Sequence, residues 1–169
     1  IRPFIYRKYL DFGAIDAIRR MKSLIEQEQS KKSLTRNLKL GRGGIREIEF
    51  VVQSHQLIFG GRDKRLQTPS FYQALRLLPE AQTLSQDTCY QLKQAYEFLR
   101  SIEHRLQILD DQQTHSLPTE DMSRARVAFS SGFESPEMLE LELATVTENV
   151  HSVFQSVFNE TTAEGSGKP

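Results

Sequence analysis

Residues 86–113 read QDTCYQLKQAYEFLRSIEHRLQILDDQQ, and this stretch decides the fold class of the chain. Its apolar residues recur in steps of three and four, which is the spacing of one face of an α-helix. The residues of this face are Leu92, Ala95, Leu99, Ile102, Leu106 and Leu109. At about 1.5 Å per residue the helix would be roughly 40 Å long. The stretch therefore predicts a helix that crosses a whole domain.

The same spacing continues on both sides of this stretch and predicts further helices. Their expected bounds are about 11–29, 44–59, 70–78, 119–131 and 135–159. Asp11, Thr119 and Ser135 are candidate N-caps, and Pro136 suits the first position of the last helix. No stretch has the strict alternation of a half-buried strand. The sequence predicts an all-α fold, an antiparallel helical bundle with two long helices and several shorter ones.

Length and composition predict a single packed domain. The chain has 169 residues, of which 38% are hydrophobic and 26% are charged, a balance typical of globular proteins. We expect one helical domain over residues 1–160. The sequence starts at Ile1, with neither an initiator Met nor a secretory signal, so we expect it to be an excised piece of a longer chain. Residues 161–169, TTAEGSGKP, are small and polar, so they predict a disordered tail or linker. No apolar run approaches the length of about 18 residues that a membrane-spanning helix needs.

Charge and cysteine content narrow the function classes. Residues 1–65 contain 15 basic and seven acidic residues, whereas residues 66–169 contain seven basic and 15 acidic ones. The first part is therefore expected to prefer anions. Cys89 is the only cysteine, which excludes an internal disulfide and a thiolate metal cluster. A buried structural thiol is expected, in agreement with the reducing cytoplasm.

Residues 39–50, KLGRGGIREIEF, contain three glycines within four residues directly before a helix. Glycines can turn backbone N–H groups toward one point, and a helix N-terminus adds partial positive charge. The candidate residues facing a nucleotide or phosphate are Lys39, Gly41, Arg42, Gly43, Gly44 and Arg46. The spacing is not that of a P-loop. A tight loop with solvated basic side chains is the alternative interpretation.

Two glutamates follow this loop, but they are not a catalytic pair. Glu47 and Glu49 would project about 200° apart on a helix. Glu49 is three residues after Arg46 and could orient it toward an anion, or the two could form only a surface ion pair. The histidines show no metal-ligand spacing, and His55 is expected in the core. We therefore predict no catalytic residue and no metal ligand in this chain.

Several blocks of the sequence resemble one known family. Residues 37–53, NLKLGRGGIREIEFVVQ, and 56–68, QLIFGGRDKRLQT, resemble the signature of the glutamine synthetase adenylyltransferase/adenylyl-removing enzyme family. Residues 2–15, RPFIYRKYLDFGAI, and 98–118, FLRSIEHRLQILDDQQTHSLP, fit the same family. The glycine block is similar to the version in the N-terminal, adenylyl-removing half. The resemblance implies a helical domain that follows the nucleotidyltransferase core of that half.

The resemblance also implies an activity for the complete enzyme. Phosphate would attack the tyrosyl-AMP phosphodiester on glutamine synthetase and release ADP, a reaction that regulates nitrogen metabolism. Mg²⁺ would be held by an Asp-x-Asp block of the upstream domain, which is missing from residues 1–169, so this fragment alone is expected to be inactive. The implied partners are the upstream nucleotidyltransferase domain, glutamine synthetase and the PII regulatory protein. Arg42 stands where some relatives have a small residue, and it adds a charge to the loop.

Two other functions remain open. The domain could be a non-catalytic module that docks glutamine synthetase or PII through its acidic part. Nucleic-acid binding is the third possibility, since residues 31–65 contain nine basic and three acidic residues. It ranks last, because the region offers few aromatic side chains on which bases could stack.

Overall fold

The computed structural model describes residues 12–31, 34–110 and 115–157. Within these ranges the chain forms α-helices and no β-strand, which confirms the predicted all-α fold. The helices are α1 (Phe12–Gln29), α2 (Ile45–Phe59), α3 (Phe71–Glu80), α4 (Gln86–Asp110), α5 (Asp121–Ser130) and α6 (Pro136–Ser156). A 3-10 turn, Lys64–Leu66, lies between α2 and α3. None of the helices in the described residues is long and apolar enough to cross a membrane.

Side-chain capping explains where α6 begins, but not where α5 begins. The Ser135 side chain accepts a hydrogen bond from the Met138 N–H, so the predicted start of α6 is confirmed. The predicted cap at Thr119 is wrong, because Glu120 occupies the N-cap position of α5 and its side chain makes no capping bond. Asp11 and the predicted tail at 161–169 lie outside the described residues.

Helix α2 lies at the centre of the bundle and contacts α1, α3, α4 and α6. Its apolar residues cover more than one face, and Ile45, Ile48 and Val51 are completely buried. A helix enclosed on several sides buries some of its polar side chains too. Glu47 and His55 are accordingly among the buried residues, so the expected core position of His55 is confirmed.

The long helix α4 packs against α2, α3, α5 and α6. Leu99, Ile102 and Leu106 are buried, as the spacing predicts. Leu109 departs from that prediction because it is 47% exposed; the buried seam ends one turn before the helix does. Cys89 is buried at the other end of α4, and burial raises the pKa of its thiol to about 11.

Candidate functional site

The glycine-rich loop, residues 39–44, is in direct backbone contact with α6. Gly43 has a φ of +68°, and a Cβ atom added there would lie 1.9 Å from the carbonyl oxygen of Thr147. A Cβ atom at Gly41 would lie 2.4 Å from the carbonyl oxygen of Asn37. Side chains do not fit at either position, so these glycines are required for close packing of the loop.

Four backbone amides of the loop, and the first two of α2, are already hydrogen-bonded within the chain. Four N–H groups donate to backbone oxygens at 2.9 to 3.0 Å, those of Gly41, Gly44, Ile45 and Arg46. The side-chain oxygen of Asn37 accepts from two more amides, those of Lys39 and Leu40. In this conformation these N–H groups are not free to cradle a phosphate. The prediction that the loop faces an anion therefore depends mainly on its basic side chains.

Those basic side chains form ion pairs with the two flanking helices. Arg46 pairs with Glu28 of α1, and Arg42 lies 2.8 Å from Glu148 of α6. The Arg46 and Arg42 side chains are 40% and 58% exposed, whereas Lys39 is half-buried. Exposed pairs of this kind contribute only about 0 to 1 kcal/mol, so an incoming anion could replace either carboxylate at low cost.

Glu49 does not orient Arg46, contrary to the prediction. Its carboxylate accepts a hydrogen bond from Arg100 of α4 at 2.9 Å and lies 3.4 Å from the Tyr96 hydroxyl. Arg46 is directed instead toward Glu28 of α1. The physical reason is that α2 is central: residues three apart on it meet different neighbouring helices.

Arg100 also belongs to a polar network with Glu103 and His115. The spacing of residues in the sequence predicts only part of this network. Nη1 of Arg100 donates to Oε2 of buried Glu103 at 2.7 Å, and Nδ1 of His115 lies 2.7 Å from the other oxygen of that carboxylate. Burial alone would lower the pKa of Arg100, but its hydrogen bond to Glu103 helps to raise it above the usual value. The i,i+3 spacing of Arg100 and Glu103 could have indicated this pair. No sequence signal indicates the contact with Glu49, 51 residues away.

A separate polar network surrounds Glu47, whose side chain is completely buried. Gln29 of α1 donates to Oε1 of Glu47 at 2.7 Å, and Nδ1 of His151 of α6 lies 3.0 Å from the same oxygen. Lys22 of α1 lies nearby; burial lowers its pKa, while Glu26 and Glu47 oppose that shift. Three helices therefore meet at one carboxylate. Sequence reasoning missed this cluster, because its members share no local spacing.

The described residues contain no group of three or more histidine, cysteine, aspartate or glutamate side chains that could hold a metal ion. What they do contain is a helical domain with a basic, glycine-rich loop fixed between two helices. This class of domain matches a known family: the model of the GlnD PII-uridylyltransferase family covers residues 19–158. The chain belongs to that family.

Curated relatives agree with the resemblance found in the sequence. The relatives from Idiomarina loihiensis, Thioalkalivibrio sulfidiphilus and Nitrosococcus oceani are 49%, 47% and 46% identical over 157 or 158 residues. Each is named a bifunctional glutamine synthetase adenylyltransferase/adenylyl-removing enzyme, which confirms the resemblance. The matches cover 93% or 94% of this chain but only 16% or 17% of each relative. The chain thus spans about a sixth of their length.

Proposed function

We propose that this chain is the helical domain supporting the removase half of a bifunctional glutamine synthetase adenylyltransferase/adenylyl-removing enzyme. The observation that carries this proposal is the match of nearly the whole chain to relatives with that name. The choice of the removase half is supported by the resemblance of the glycine block at residues 39–50. The chain would work in the cytoplasm, next to the upstream nucleotidyltransferase domain, with glutamine synthetase and PII as partners.

In the complete enzyme an oxygen of inorganic phosphate would attack the phosphorus of the tyrosyl-AMP phosphodiester. The new P–O bond gives ADP, and the bond to the tyrosine oxygen breaks, so that tyrosine leaves and takes up a proton. Mg²⁺ bound by the upstream domain would stabilise charge on the transferred group. The fragment itself would be inactive, since its contribution to the reaction is electrostatic and structural.

The basic side chains of the loop would provide the electrostatic share. The guanidinium of Arg46 can bind two oxygens of a phosphoryl group in its planar fork. Its present partner, Glu28, is a partly exposed carboxylate that a phosphoryl group could replace. A phosphoryl oxygen could likewise replace the Glu148 carboxylate as the partner of Arg42. Lys39 would add a third positive charge. This surface would assist the reaction without taking part in covalent chemistry.

The test uses the full-length enzyme with the substitution Arg46→Ala. Removase activity should fall about 10- to 100-fold, the range for losing one charge-assisted contact, while adenylyltransferase activity is unchanged. Arg46→Lys should restore only part of the loss, because a point charge cannot reproduce the guanidinium fork. Arg19→Ala is the matched control, because Arg19 also pairs with an exposed carboxylate, that of Asp16. Wild-type removase activity from a well-folded Arg46→Ala enzyme would overturn the proposal.

A protein-docking role is the second candidate, and the outer face of α6 favours it. Met138 and Leu141 are 49% and 71% exposed there, next to exposed Glu137 and Glu142. Exposed apolar side chains within a polar rim are typical of interaction sites. Under this alternative, Leu141→Ser would weaken binding of glutamine synthetase or PII and leave Arg46 without a role in turnover.

A further inference from the structure

The buried Glu47 cluster is connected directly to the glycine-rich loop. The side-chain amide of Gln29 donates to Glu47 at 2.7 Å and also lies 3.4 Å from the carbonyl oxygen of Gly41. His151, on the other side of Glu47, is one helical turn beyond Thr147, whose backbone touches Gly43. Two successive turns of α6 therefore hold the loop and the helix that follows it.

A buried carboxylate is costly unless its hydrogen bonds and its charge are compensated. Glu47 has no exposed surface; Gln29 donates a hydrogen bond to its carboxylate, and Nδ1 of His151 lies within hydrogen-bonding distance of it. Lys22 adds positive charge nearby and is itself held by the Gln155 carbonyl oxygen at 3.1 Å. An apolar side chain would fill the same space without these costs. The contact between Glu47 and His151 is directional, so it fixes the rotation of α2 relative to α6, which apolar packing would not do.

That rotation matters because Arg46 is adjacent to Glu47 in the first turn of α2. A change in the orientation of this turn would move the Arg46 guanidinium and would shift the loop that carries Arg42. We infer that Glu47 and His151 are positioning residues, which set where the two arginines stand relative to an anionic ligand. This inference rests on the proposed function for the identity of that ligand, a phosphoryl group or inorganic phosphate.

The variants for testing this are Glu47→Gln and His151→Gln in the full-length enzyme. Both replacements put a hydrogen-bonding amide in place of the native group, so folding is preserved better than with an apolar residue. Amide hydrogen exchange of residues 39–46 should become about tenfold faster, because the loop amides open more often. The KM for inorganic phosphate should rise about five- to tenfold, with a smaller change in kcat. If the two residues had a purely structural role, the variants would leave the phosphate KM unchanged and would not speed up amide exchange selectively in the loop.

His55→Gln is the matched control, since His55 is a second buried histidine contact of α2. Its Nδ1 lies 2.8 Å from the Val51 carbonyl oxygen, two turns away from Glu47. This variant should lose stability and keep wild-type loop exchange and phosphate KM. Unchanged loop exchange in both test variants, or equal changes in the control, would overturn the inference. Faster loop exchange with unchanged phosphate KM, together with a wild-type Arg46→Ala enzyme, would overturn the anion-binding role and leave Glu47 and His151 as anchors of the loop only.

Discussion

The Nδ1 atom of His151 lies 3.0 Å from Oε1 of Glu47, although the two residues are 104 positions apart in the chain. This contact joins the first turn of the central helix α2 to α6. The glycine-rich loop lies beside the contact and is itself pressed against Thr147 of α6. The position of the basic loop is therefore set by tertiary packing, and substitutions at this junction should reveal it.

Gly43→Ala should destabilise the domain strongly. The residue has a φ of +68°, and a Cβ atom would overlap the Thr147 carbonyl oxygen. Gly132→Ala is the control, because Gly132 has a φ of +85° with no heavy atom within 4 Å of the added carbon. The control should cost about 1 to 2 kcal/mol from backbone strain alone. Gly43→Ala should cost at least about 2 kcal/mol more in urea unfolding; equal losses would show that the loop does not touch α6.

Leu99→Ala and Leu106→Ala should each lower the free energy of unfolding by about 2 to 5 kcal/mol. Both leucines are buried in the seam of α4, where truncation leaves a cavity. Leu141→Ala, at a leucine that is 71% exposed, should cost less than about 0.5 kcal/mol. Chemical denaturation of the three variants checks this. A loss at Leu99 as small as that at Leu141 would mean that the seam faces elsewhere.

Glu140 should give the domain a pH-dependent share of its stability. Hydrogen bonding to Arg36, and then to Arg124, lowers the pKa of its carboxyl below the usual 4.5. A lowered folded-state pKa stabilises the fold above the unfolded-state value, and this is lost as the pH falls through the folded-state value. The stability difference between wild type and Glu140→Gln should thus be larger at about pH 6 than at about pH 3. Exposed Glu142→Gln is the control; identical pH dependence in both variants would contradict the role of Arg36.

Cys89 should react slowly with iodoacetamide while the domain is folded. Burial raises the pKa of the thiol from 9.0 to about 11, and only the thiolate is a good nucleophile. At about pH 8 alkylation should therefore be at least roughly 100-fold slower than in the unfolded chain. Mass spectrometry gives the rate directly, because Cys89 is the only cysteine. Similar rates with and without denaturant would show that the thiol is accessible.

The sequence predicts the helices well but predicts the candidate site only in part. The seam of α4 follows from local spacing, so the apolar pattern alone is enough to assign Leu99 and Leu106 to the buried face. The partners of Glu47 and Glu49 cannot be found in this way, since His151 and Arg100 come from distant helices. The three glycines are recognisable as a loop, but only the contact with Thr147 shows that they allow close packing.

The most direct test of the proposed function is a structure of the longer enzyme with a nucleotide and phosphate bound in its removase half. We predict that the Arg46 guanidinium leaves Glu28 and lies within hydrogen-bonding distance of a phosphoryl oxygen, with Arg42 on the same side of the cleft. The loop should remain against Thr147. A structure in which Arg46 still pairs with Glu28 and faces away from the occupied catalytic cleft would contradict this account.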